Sequence, residues 1–297
     1  MPRFRKVKDL FSEKILFSLT ISFNILFLLI IVLLSAKSGG LVRDHSLFAL
    51  LTGSQWQPFQ GQFGLYYFIT GTLFVTFLSV ALAAPVGILT SVFLAEYAPK
   101  KIASFSKSVI DIFAGIPSVV YGIWGVLFVV PFVKDSAQFF FGVSTTGYSL
   151  ISAGIVLGIM ILPIIINIIT ELIEALPSEL RESSYALGAT QWQTVKHVVL
   201  RKIYPGIFAA IVLGLSRAFG ETMAVLMVAG NVAKMPKSLF DPVYTMSALI
   251  ANNYGEMMSI PMYDAALMFV SLILMVIVMI FNSAAQLILF RTRKRLG

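Results

Sequence analysis

The sequence predicts an all-α polytopic membrane protein with six transmembrane helices, and three observations carry that expectation. Hydrophobic residues make up 58% of the 297 positions and charged residues only 12%. With a mean hydropathy of +0.90, that is more apolar surface than a soluble core hides. Several apolar runs exceed the ~18 to 20 residues that cross about 30 Å of hydrocarbon, and a helix satisfies every backbone polar group within the span. Finally, the basic residues crowd alternate connections between those runs.

The spans are read at 15–35, 66–96, 109–132, 149–173, 204–229 and 263–290. The first lies close to the N-terminus, yet its apolar stretch is longer than a signal-peptide core. No A-x-A-like cleavage site follows at Ser35-Ala36-Lys37, so this span is expected to be retained. Ser79, Ala83 and Gly87 in the second span, and Gly154 and Gly158 in the fourth, place small residues at four-residue steps. Such stripes let helix backbones approach closely and are read as packing. Pro85, Pro117 and Pro163 lie within or near spans and are expected to kink them. Pro117, flanked by Gly115 and Gly122, fits either a kink or a full break. Asp111, Glu171 and Asp264 fall near span ends, where water reaches them, and are not assigned to a pathway. The chain divides into residues 1–60, holding the tail, the first span and an outer loop, and residues 61–297, a core of five spans with an inner loop at 174–203.

Orientation follows from the charges. The two tails and the second and fourth connections hold most of the Lys and Arg, including Lys100, Lys101, Lys107, Arg181, Lys196, Arg201 and Lys202. The other three connections hold only Lys37, Arg43, Lys134, Lys234 and Lys237. Both termini are therefore expected in the cytoplasm. The net charge of +8 reads as topological anchoring against anionic membrane lipids rather than a nucleic-acid footprint, because no aromatic recognition pattern is interleaved with the basic clusters.

Several chemistries drop out. There is no cysteine, so disulfides, thiolate metal sites and thiol nucleophiles are excluded. The two histidines, His45 and His197, fall on opposite sides of the membrane, and no HExxH or other metal motif is present. No catalytic residue and no metal site is expected. The phosphate cradle GxxxxGK[ST] is missing as well. The chain is expected to bind no cofactor, and any ATP with its magnesium would be bound and hydrolysed on a partner.

The inner loop has a helical pattern. Pro177 suits the start of a helix, having no amide hydrogen to lose, and 178–187 continue without a breaker. Gly188 supplies a stop. Thr190 with Gln193 forms a capping box for a second helix through Trp192, Val195, Val199 and Lys202. The resulting elbow presents Tyr185, Ala186, Leu187 and Trp192 beside Arg181 and Glu182. That mixture fits an amphipathic helix seated in a groove of another protein; a helix lying on lipid is the alternative.

The fifth span contains Arg217 and Glu221, four residues apart and so expected on one helix face. At ~1.5 Å per residue Arg217 lies roughly 20 Å along the span, past the midplane. A charge there costs on the order of 3 kcal/mol and faces a bundle interior or an aqueous path. Two roles fit the pair: mutual neutralisation, or contact with Asn231 or a neighbouring helix, that holds the bundle together; or an anion site in which Arg217 offers forked donors and Glu221 orients them. The outer loops are aromatic, with Trp56, Phe59, Phe63, Tyr244, Tyr254 and Tyr263, which fits interfacial anchoring.

These residues carry a family resemblance. Glu182-Ser183-Ser184-Tyr185-Ala186-Leu187-Gly188, followed by Ala189, is similar to the EAA-x-x-x-G signature of binding-protein-dependent ABC importer permeases, with serines where alanines are usual. The later I-x-L-P half of that signature appears as Val198-Val199-Leu200-Arg201, with arginine in place of proline. Gly71-Thr72-Leu73 and Leu94-Ala95-Glu96-Tyr97-Ala98-Pro99 resemble the opening of the permease core, and Gly115-Ile116-Pro117-Ser118-Val119-Val120-Tyr121-Gly122 resembles the phosphate-importing branch. Arg217-Ala218-Phe219-Gly220-Glu221-Thr222-Met223-Ala224-Val225 looks like the C-type permease of that branch.

The resemblance implies a type I, MetI-like importer fold and a bacterial plasma (inner) membrane location. It implies ATP-driven import of inorganic phosphate by alternating access, with related sulfate or molybdate importers and the sister A-type permease as alternatives. Arg217, Glu221 and Thr222 would line the substrate pathway, and 182–189 would couple to the ATPase. Implied partners are an A-type second permease in a heterodimer, two ATP-binding subunits, a periplasmic or surface phosphate-binding protein that docks on the outer loops, and membrane lipids. Two other classes are weighed against this. A secondary transporter would show inverted repeats and broken helices at matched positions, which the sequence does not suggest. A membrane enzyme would need a cluster of acid, base or metal ligands in the spans.

Overall fold

The computed structural model describes residues 2–255, 260 and 262–296. Its helices in order are α1 (Pro2–Asp44), α2 (Leu47–Thr52), α3 (Tyr66–Val92), α4 (Lys100–Gly115), α5 (Ser118–Trp124), α6 (Val130–Phe141), α7 (Leu150–Glu174), α8 (Ser178–Ala186), α9 (Gln191–Thr194), α10 (Leu200–Phe219), α11 (Met223–Val228), α12 (Met246–Asn253) and α13 (Tyr263–Leu296). A small antiparallel ribbon, β1 (Trp56–Gln57) and β2 (Gln62–Phe63), pairs Trp56 with Phe63. Single π-turns join α5 to α6 and α9 to α10 and extend α3 to Tyr97. Among the described residues six helices are long and apolar enough to cross a membrane: Glu13–Asp44, Tyr66–Tyr97, Ser118–Phe141, Leu150–Glu174, Gln191–Phe219 and Tyr263–Ala284.

The core forms around α7, whose Ile161, Ile165, Ile169 and Ile173 are all fully buried. Ser149 caps its start, accepting from the Ser152 amide, which satisfies one of the free donors at a helix N-terminus. The small residues do the packing expected of them. A Cβ on Gly154 would meet the Leu78 side chain at 2.7 Å, one on Gly158 would meet the Ser79 carbonyl oxygen at 3.2 Å, and one on Gly87 would meet Ile165 at 2.7 Å. The Ser91 hydroxyl then donates across the interface to the Ile166 carbonyl at 3.1 Å. Without a hydrophobic drive between helices in lipid, such close approach and interhelical bonding hold α3 on α7. On another face Gly206 and Gly214 of α10 admit Leu172 and Ile165.

A second cluster binds α1, α2, α12 and α13 through Leu41, Leu50, Phe68, Met246, Leu249 and Val270. Trp56 stands edge-on to Phe63, Phe68 and Tyr263, with centroids 5.1 to 6.0 Å apart. Most apolar side chains of α1 between 15 and 33 are exposed, as suits a helix whose outer face meets lipid.

Two expected spans differ in form. The third, read as one run over 109–132, is broken at Ile116–Pro117, where α4 ends and α5 begins. Pro117 has no amide to continue the ladder, and the Phe113 carbonyl instead accepts from the Ile116 amide at 3.3 Å and the Tyr121 hydroxyl at 2.7 Å. Contacts with α7 and the turn before it set the register of this segment: Lys107 pairs with Glu174, Asn167 donates to Asp111, Gly125 abuts Val156, and Gly147, just before α7, abuts Val130. Packed antiparallel to α7 the chain runs from about Lys107 to Val130, whereas the stretch long and apolar enough to span is Ser118–Phe141, later in the chain than the expected 109–132. The fifth span, read as 204–229, begins earlier, at Gln191, and stops at Phe219; Pro205 is accommodated inside α10.

Candidate functional site

The elbow between α7 and α10 forms as its residues direct. Pro177 stands at the cap position of α8, and α8 closes on Gly188, whose φ of +83° is open to glycine at little cost. Thr190 and Gln193 make a complete capping box: the Thr190 side chain accepts from the Gln193 amide, and the Gln193 side chain accepts from the Thr190 amide. α8 has no buried side chain. Glu182, Ser183, Tyr185, Ala186, Leu187 and Gly188 are exposed, while Ser184 and Ala189 are half-buried. Leu187 is 90% exposed, Trp192 55% and Tyr185 43%. On the inward face the Ser184 hydroxyl bonds Thr194 at 2.9 Å, joining the two arms of the elbow.

Arg181 turns inward as well. Its guanidinium forks onto the Glu96 carboxylate at 2.8 and 3.0 Å and donates to the Ile173 and Leu176 carbonyls at 2.8 and 3.1 Å. The side chains are 20% and 6% exposed. Gln191 adds a bond from its amide to the Glu96 carbonyl at 2.7 Å. Sequence reasoning assigned no role to Glu96, which lies 85 residues from Arg181. The one available signal was an acidic side chain closing an apolar span, a place where a charge needs water or a partner.

The second group lies at the end of α10. The fifth span breaks at Gly220, Glu221 and Thr222 before α11 resumes, so Arg217 and Glu221 do not share one helix face as expected. The reason is local: the Glu221 carboxylate accepts from the Ala224 amide at 3.1 Å and so caps α11, and the Glu221 carbonyl accepts from Ser247 of α12 at 2.8 Å. The Thr222 hydroxyl is 3.4 Å from the Gly220 carbonyl. Among the described residues Arg217 makes no ion pair with Glu221. Nor does Asn231 join them: its amide donates to the Leu226 carbonyl at 2.7 Å.

α7 gives the depth of Arg217. Gly214 packs on Ile161 and Ile165 at the middle of α7, and one turn further along, Gly122 of α5 meets Ala224 of α11. Arg217 therefore stands near mid-depth between the two breaks, and its side chain is on the exposed side of the chain. At Pro117 the full break holds rather than the kink, and the break after Phe219 corrects the expectation of a continuous fifth helix. The broken segments α5 and α11 are packed together through Gly122, where a Cβ would meet Met227 at 2.5 Å. Irregular backbone at this depth occurs where it is buried in protein or lines an aqueous cavity.

Comparison with known proteins agrees with this architecture. The family model described as binding-protein-dependent transport system inner membrane component matches residues 87–294. The chain is 43% identical over 218 residues to the probable ABC transporter permease protein YqgH of Bacillus subtilis (strain 168), covering 73% of this chain and 69% of that one. It is 35% identical over 264 residues to the phosphate transport system permease protein PstC of Mesorhizobium japonicum, covering 84% and 80%. Among solved structures, a chain from the inward-facing MetNI methionine ABC transporter superposes with a TM-score of 0.58 at 21% identity, covering 76% of this chain and 96% of that one. A chain of a bacterial ABC transporter involved in alginate import gives 0.59 at 19%, covering 95% and 98%. At these identities the structural likeness is one of fold. With its elbow, its six spans and this match over most of its length, the chain belongs to the binding-protein-dependent inner-membrane permeases of ABC transporters.

Proposed function

We propose that this chain is the C-type permease subunit of an ATP-driven importer of inorganic phosphate. The observation that carries the reading is the exposed Arg217 guanidinium at mid-depth beside two broken spans. Facing lipid, such a charge costs ~3 kcal/mol or more, so that side of the chain meets a second subunit and a wet path between them. A forked, permanently charged donor set suits an oxyanion. Phosphate, rather than sulfate or molybdate, is favoured by relatives named as phosphate transport system permeases. Glu221 holds the break by capping α11, and Thr222 adds a hydroxyl at the path.

The second subunit is an A-type permease, giving a heterodimer. Two ATP-binding subunits grip the elbows from the cytoplasm, where both termini also lie, and bind the ATP and magnesium that this chain does not. A phosphate-binding protein delivers its cargo at the outer loops. Closure of the ATPases on ATP pulls α8 and rocks the helices so that the path opens outward; hydrolysis resets it inward. Labelled phosphate uptake into vesicles tests this. It is expected only when the second permease, the ATPase, the binding protein and ATP are all present. Uptake by this chain alone, or uptake of sulfate in preference to phosphate, would refute it.

A further inference from the structure

α8 touches the bundle lightly. None of its side chains is buried, and among the described residues its side chains make polar links to the bundle at two places, Ser184 to Thr194 and Arg181 to Glu96 with the α7 carbonyls. The first stays within the elbow. The second leaves it: Glu96 closes the π-turn that ends α3, and three residues later Pro99 opens α4. α4 is the inner half of the third crossing, whose break at Ile116–Pro117 leads into α5 packed against α11.

From this connectivity we infer that the Glu96–Arg181 pair is the mechanical joint that hands displacement of α8 to the corner between α3 and α4, and so to the broken third crossing. The geometry suits a load in more than one direction. The fork holds the carboxylate at two nitrogens, and the same guanidinium grips the Ile173 carbonyl of α7 and the Leu176 carbonyl just past its end, so the ends of α3 and α7 and the start of α8 meet at one planar group. A lysine, with a single charged nitrogen, cannot hold all of these at once. Gln191 clasps the Glu96 backbone from the other arm of the elbow, so the corner is held between α8 and α9. Both residues act through the helices they join and are positioning residues rather than substrate contacts.

The inference rests on the reading that α8 docks on an ATPase, and the test separates the two. The complete importer is reconstituted with Glu96→Gln, which keeps the shape and removes the charge. Phosphate moved per ATP hydrolysed is compared with the unaltered complex. The ratio is expected to fall at least about fivefold, the lower end of ordinary coupling between sites, while the ATPase still co-purifies and still hydrolyses. Arg181→Lys, which keeps the charge and loses the fork, is expected to do the same and covers the case in which the first variant does not fold into a permease pair. An unchanged ratio, including one in which transport and hydrolysis fall together, overturns the joint. Loss of the ATPase from either variant also overturns it, since the pair would then only shape the docking surface. The docking reading itself is judged on Leu187→Asp, a change away from the joint that should release the ATPase.

Discussion

Replacing Leu187 by alanine isolates the docking of the elbow. The side chain is 90% exposed and follows directly on α8, so its truncation removes almost nothing from the fold of this chain. Three carbons are lost, and burial of each in a partner groove is worth ~0.8 kcal/mol. Full burial therefore amounts to roughly 2 kcal/mol, or about a 30-fold weaker dissociation constant at ~1.4 kcal/mol per factor of ten. Titration of the purified ATPase onto the solubilised permease pair, followed by calorimetry or anisotropy, reads that change. The thermal midpoint of the permease pair alone should stay where it was. Unaltered affinity would mean that Leu187 is not seated in a groove, and a fall in the midpoint would mean that the residue supports the chain itself.

Other expectations follow from the same geometry. Gly71→Ala places a Cβ 2.6 Å from the Tyr244 carbonyl oxygen, whereas Gly39→Ala in α1 meets nothing within 4 Å. The first should destabilise by about 1–3 kcal/mol and the second should be neutral or slightly stabilising, as read from thermal unfolding in detergent. Glu221→Ala removes the acceptor that caps α11 and should cost ~1 kcal/mol. Glu221→Gln keeps an acceptor there and should retain transport; loss of transport in the glutamine variant would show that the carboxylate charge is needed. The Lys107–Glu174 pair is half exposed, at 41% and 47%, so Lys107→Ala should lower stability by less than ~1 kcal/mol.

The elbow was legible because its determinants are local. A capping box at Thr190 and Gln193 and a positive φ at Gly188 depend on residues within a turn of each other. The small residues of α3 and α7 likewise announce their own packing. The break in the fifth span was not legible in this way. Residues 204–229 form an apolar run in which Gly220 and Thr222 are no stronger breakers than Pro205, Gly206 and Gly214, which the helix accommodates. Besides the local Glu221 cap on the Ala224 amide, the break is held by the bond from Ser247, which is remote in sequence, to the Glu221 carbonyl. Arg217 and Glu221 stand out in the sequence as charges within an apolar run, but four-residue spacing places two side chains on one face only where the helix continues. The Glu96–Arg181 joint shows the same limit: each residue reads as an ordinary charge at a membrane boundary, and only the return of α8 beneath α3 brings them together.

The most direct measurement of the mid-membrane reading is labelled phosphate uptake by the reconstituted importer carrying Arg217→Ala, with ATP hydrolysis followed in the same vesicles. Uptake is expected to be lost while hydrolysis and subunit assembly persist. Uptake equal to that of the unaltered complex would remove the guanidinium from the path and contradict the assignment.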